Sequence, residues 1–178
     1  MATKIIAAML LIAIFAGVAF AAIAEVLSPV RNTVEDGGSI YLGKIGPGQT
    51  IYITVNGKVA TGGKFGVGGT WQILRVLNKS SGWESYDSKE MATEMQVSVK
   101  PSQNASDGQY RVKLKLDEDA SKQQQLGSVT FDALIDVDKN VMGVTFLRKE
   151  LQVGVGQPAR YEIVIENRGN ANDVFEIT

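Results

Sequence analysis

The 178-residue chain contains no cysteine and no histidine. Without cysteine no disulfide can brace it, so stability must come from a hydrophobic core. Without histidine, Ser-His-Asp and Cys-His nucleophile activation are excluded, as is every zinc site that uses an imidazole. Neither charge dominates: 18 Lys and Arg stand against 19 Asp and Glu, so no nucleic-acid partner is expected. An enzyme built from this inventory would have to work through carboxylates, lysine or tyrosine alone. No catalytic residue, cofactor or metal site is expected, and the chain reads as non-enzymatic.

The N-terminus is far from average. Lys4 precedes an apolar run from Ile5 to Ala24 with no acid before Glu25. Small residues close the run as two A-x-A sites, Ala19-Phe20-Ala21 and Ala22-Ile23-Ala24. A cation, an apolar stretch and a small-residue cut site are the layout of a secretory signal peptide, giving a mature start at Ala22 or Glu25. The competing reading of residues 1–24 is an uncleaved membrane anchor, since 20 apolar residues can span a bilayer as a helix. A pilin-type signal would need a cut before the run, usually after Gly, and no Gly precedes Ile5. In either leading reading the rest of the chain is exported.

After Pro29 the period changes to two, the period of strands. In QTIYITV, Ile51, Ile53 and Val55 share a face and Tyr52 and Thr54 point away; in EMQVSVK the inward set is Met95, Val97 and Val99. QYRVKLKL alternates Tyr110, Val112, Leu114 and Leu116 with Gln109, Arg111, Lys113 and Lys115. One dry and one wet face per strand predicts antiparallel sheets. With SIYLG, TWQILRVL and GSVTFDALIDV, about seven strands are expected, enough for an all-β, immunoglobulin-like antiparallel sandwich over residues 25–138. In NASDGQYRV a Gly-bearing turn leads into Tyr110, whose hydroxyl is expected to close a tyrosine corner on the backbone just upstream. Val112 stands where antibody domains carry cysteine, and Trp71 is the expected core tryptophan.

The runs GPGQTIYITV, SGWES and MQVSVKPSQNASDGQYRVKLKL resemble the NEW3 type of immunoglobulin-like module. The shared elements are Gly82-Trp83, Pro101, and Ala105 through Gly108 to Tyr110, within residues 38–137. The resemblance implies a fold and a setting, among exported archaeal or bacterial surface proteins or beside carbohydrate-active domains, and no chemistry. GQPARYEIVIENRGNANDVFEIT opens with Gly-Gln as GQTIYITV does, sets Tyr161, Ile163 and Ile165 on one face and turns at Asn167-Arg168-Gly169-Asn170. Residues 139–178 therefore read as the opening strands of a second module, too short to enclose a core. The alternative is extra strands on the first sheet. In the module reading, a chain ending at residue 138 keeps nearly full stability.

Few residues suggest a site. Gly63-Lys64 resembles the end of a phosphate loop, but Lys58 replaces its first Gly and Phe65 its hydroxyl. Asp136, Asp138 and Asn140 resemble half a calcium loop whose later Gly and Glu positions hold Val141 and Leu147. Asn78 and Asn104 head N-x-[ST] sequons and are glycosylation candidates. Trp83 and Tyr86 are the candidate aromatic platform for carbohydrate. The expected function is structural or adhesive display at the cell surface through tandem sandwich modules, with other surface proteins or surface polysaccharide as partners. The membrane joins them if the N-terminal segment stays uncut. The alternative is a carbohydrate-binding accessory module of a longer secreted glycoside-active enzyme.

Overall fold

Alternating residues become two facing sheets in the computed structural model, which describes residues 22–60, 68–118, 126–148 and 150–171. Twelve strands appear among these residues, and no helix. They are β1 (Ala24–Ser28), β2 (Asn32–Val34), β3 (Ser39–Ile45), β4 (Ile51–Asn56), β5 (Lys58–Val59) and β6 (Gly69–Asn78). After these come β7 (Glu84–Tyr86), β8 (Glu94–Lys100), β9 (Gly108–Glu118), β10 (Val129–Val137), β11 (Met142–Phe146) and β12 (Ile163–Asn167). One sheet runs β2-β1-β4-β8-β7 and the other β3-β10-β9-β6-β5. Their inner faces share one core containing Ile51, Ile53, Met95 and Val97 from the first sheet and Trp71, Leu114, Phe131 and Ile135 from the second. This is a β-sandwich. Each fully buried aliphatic or aromatic side chain in it contributes roughly 1.5–3 kcal/mol.

The expected inward faces of β4, β8 and β9 are the buried ones. Thr54 differs: expected to point away into solvent, it is buried, because Ser28 of β1 pairs beside it and Gln96 Nε2 donates to its hydroxyl at 3.2 Å. The sheets are not wholly antiparallel as expected, since β3 runs parallel to β10 from Ser39 beside Asp132 to Ile45 beside Val137. The Asp36–Gly38 turn carries the chain from one sheet to the other, pinned by Asp36 Oδ1 accepting the Thr130 amide at 2.7 Å. That crossing delivers β3 to the β10 edge already running the same way.

A second difference lies at the N-terminal boundary. Ala24 opens β1, opposite Val34, and is fully buried; Ala22 is 4 % exposed. The sandwich therefore includes residues assigned by composition to the leader. Ala22 and Ala24 look alike in sequence whether they end an Ala-rich leader or lead into a buried strand. Residues 1–21, which carry most of the signal or anchor reading, lie outside the described residues, as do Gly63-Lys64 and Phe65 of the phosphate-loop comparison.

β11 and β12 form their own two-stranded sheet, from Met142 opposite Asn167 to Phe146 opposite Ile163. They join neither sandwich sheet. The expected turn at Asn167–Asn170 is present, with Asn167 Oδ1 accepting the Gly169 amide at 2.9 Å. Phe175 and Ile177 fall outside the described residues.

Candidate functional site

Three places gather chemistry-bearing side chains: the corner at Tyr110, the acidic end of β10, and the outer face of the first sheet. At the corner, Pro101 ends β8 and a turn closes with the Ala105 amide donating to Ser102 at 3.0 Å. The Tyr110 hydroxyl donates to the Ser106 carbonyl at 2.9 Å, the contact expected from the sequence. Trp83 packs on the Tyr110 ring, centroids 5.0 Å apart and planes tilted by 45°. Gly82, at φ 76°, turns the chain so that the indole enters the core, where it is 6 % exposed. Trp83 therefore offers no free face to a sugar. Tyr86, 71 % exposed, lies at the far end of β7. The expected Trp83–Tyr86 platform does not assemble, because residues three apart along an extended segment fall on opposite faces, Trp83 inward and Tyr86 outward. Trp71 is fully buried, as expected of the core tryptophan.

At the end of β10 the half-loop carboxylates are already engaged. Asp136 accepts from the Tyr41 hydroxyl at 2.7 Å and from Gln109 Nε2 at 3.2 Å. Losing that proton beside a carboxylate is unfavourable, so the Tyr41 phenol is pushed up from its ordinary value. Asp138 accepts the Asn140 amide at 2.8 Å and Lys44 Nζ at 3.1 Å, and these hold its carboxyl below the usual range. Asp107 accepts the Lys139 amide at 3.1 Å. Among the described residues no three such side chains converge as metal ligands. The arrangement is one of strand-end fastening.

Beside it sits a joint between the two β units. Asn170 donates its amide to the Lys44 carbonyl at 2.6 Å, and its side-chain oxygen accepts the Lys44 amide at 2.9 Å. It thus satisfies both backbone groups of one residue on β3, opposite the β10 side. Gly43 makes room: its φ is 99°, and a Cβ there would overlap the Asn170 amide group. Arg168 donates its backbone amide to Val141 at 2.7 Å, and Ala171 is buried against the sandwich core. Sequence reasoning marked Asn170 only as a turn residue. Its partner lies 126 positions away.

The sequon asparagines Asn78, closing β6, and Asn104, in the corner turn, are both exposed. The two outer sheet faces contrast in charge. On the second sheet, Arg111 and Lys113 flank Asp132 at 3.4 and 3.8 Å, and Arg75 and Lys115 meet Asp117 at 3.6 and 2.6 Å. On the first, Tyr52, Ser98 and Tyr86 lie in one cross-strand row. No protein-family model matches the chain, and no curated protein matches it significantly.

Proposed function

We propose that this chain is a non-enzymatic exported protein of the cell surface or envelope, displaying an immunoglobulin-like sandwich joined to a second β module. The strand order supports the immunoglobulin-like class: β1-β4-β8-β7 facing β6-β9-β10 follows the ABED and CFG sheets of such sandwiches, and a tyrosine corner leads into β9, the F position. The looser NEW3 resemblance is part of the same reading. An apolar face on the β11–β12 sheet, formed by Met142, Val144, Phe146, Ile163 and Ile165 and left open among the described residues, favours a second layered unit over residues 139–178. A carbohydrate-binding accessory role within a longer enzyme remains the second reading, favoured by exposed tyrosines on the first sheet.

The observation that carries export is the junction of the apolar leader with β1. A leader needs a cut that leaves a foldable product, and the two A-x-A sites differ in this respect. Cutting after Ala24 would remove buried Ala22 and Ala24 and the pairing of Ala24 with Val34. Cutting after Ala21 keeps all of β1. It also leaves 14 apolar residues, Ile5–Val18, before the site, within the h-region length of about 7–15. Water adds across the Ala21–Ala22 amide, and the mature chain begins at Ala22.

The test is to express the full chain in a secreting host and sequence the N-terminus of the product outside the cytoplasm. Ala22 is expected. A product beginning at Glu25 would contradict the choice of site, an exported full-length product would favour the anchor, and cytoplasmic retention would defeat the export reading.

A further inference from the structure

We infer that Tyr52 and Tyr86, with Ser98 between them, form a stacking platform for a neutral polysaccharide on the outer face of the first sheet. Ser98 of β8 pairs with Tyr52 of β4 on one side and Tyr86 of β7 on the other. Residues directly opposite in antiparallel strands point to the same face, so all three side chains project outward together. The core lies on the other side, since Ile51, Ile53, Val97 and Val99 alternate with them and are buried. Tyr52 is 49 % exposed and Tyr86 71 %. Two strand spacings separate their backbones by roughly 10 Å, a distance suited to separate rings of one extended glycan.

The surroundings select the ligand class. Sugar rings present apolar C–H faces, which stack on aromatic rings, and hydroxyl rims, which need hydrogen-bonding neighbours. Those neighbours are present: exposed Gln96 lies in the row on one side, beyond buried Thr54, and Glu84 and Lys100 occupy the row on the other. Lys100 and Glu84 lie 3.6 Å apart and offset one another's charge. Glu94 lies farther along the same face of β8, so the face offers a polyanion no excess of cations and suits an uncharged polyol better. Among the described residues the charged outer face of the second sheet has no such row.

This inference deepens the carbohydrate-binding reading, and its test uses the purified chain and is independent of export. Native gels containing hydroxyethylcellulose, soluble xylan or galactomannan measure retardation, and alginate serves as the charged comparison. At least one neutral polymer should retard the protein, with retardation persisting at high salt. Tyr52→Ala and Tyr86→Ala should each weaken binding by about tenfold, the equivalent of one lost ring contact. Tyr→Phe at either position should preserve most of it, while Tyr41→Ala, on the other sheet, should change nothing. Melting temperatures of the two Ala variants should stay close to that of the parent, since both rings are exposed. The inference is overturned if no neutral polymer retards the chain, or if only alginate does. It is equally overturned if the Tyr52→Ala/Tyr86→Ala double variant binds unchanged. A leader or localisation result would leave these outcomes untouched.

Discussion

β9 and β12 carry similar patterns, and only one of them is buried. In β9, Val112, Leu114 and Leu116 alternate with Arg111, Lys113 and Lys115, and the apolar set is wholly enclosed. In β12, Ile163 and Ile165 are only half-buried and Val164 between them is exposed. The difference is the neighbour. β9 lies between β10 and β6 with the first sheet across from it, whereas among the described residues β12 pairs only with β11. Alternation sets which residues can share a face; whether that face stabilises anything depends on a second layer.

The largest test of this contrast is a matched pair of aromatic deletions. Trp71→Ala should destabilise the chain by ~3–5 kcal/mol in a urea melt, whereas Phe146→Ala should change it by under about 0.5 kcal/mol. A comparable loss at Phe146 would show that the β11–β12 sheet is covered and cooperative with the sandwich. Trp83→Ala should fall in the upper class, near 3 kcal/mol, because that ring is core and not surface. Tyr110→Phe, which removes the donor to Ser106, should cost about 1 kcal/mol.

The joint between the regions supplies the next test. Removing residues 139–178 should still leave a cooperative fold, but its stability should drop by about 1–2 kcal/mol as Lys44 loses both bonds to Asn170. This replaces the sequence-based expectation of nearly equal stability, which took no account of Asn170 or Ala171. Gly43→Ala should reproduce much of the loss within the full chain, through its positive φ and its crowding of Asn170. Amide exchange at Lys44 and Asn170 would report the joint opening in that variant. Unchanged protection there would mean that the two units are held by other contacts.

The smallest effect is acidification. The Asn56 amide and Arg31 lower the Glu25 carboxyl, and the Asn140 amide and Lys44 lower that of Asp138. A carboxyl whose folded value is depressed contributes stability that is fully present above its unfolded value and is lost as pH falls through the folded one. Melting temperature should therefore stay flat from neutral pH down to the ordinary carboxylate range and decline slightly below it. Asp138→Asn should flatten part of that decline. Both groups are exposed, so the slope is expected to be shallow.

Local chemistry made several things legible in the sequence by itself. Period-two alternation marked β4, β8 and β9 with their inward residues, and β10 as a strand, because strand geometry sends successive side chains to opposite faces. Tyr110 and its turn announced the corner because a four-residue reach is a local matter. The Asn167–Asn170 turn was readable from its Asn-Gly chemistry for the same reason. The tertiary structure alone decided the rest. The start of β1 was hidden because buried alanines of a strand and of a leader have the same composition. Trp83 looked like a surface ring until one turn carried it against Tyr110. Tyr52 became the neighbour of Tyr86, and Asn170 the cap of Lys44, only through pairings between distant strands. Register across a sheet is set by the packing of whole faces, and no window of sequence contains both partners.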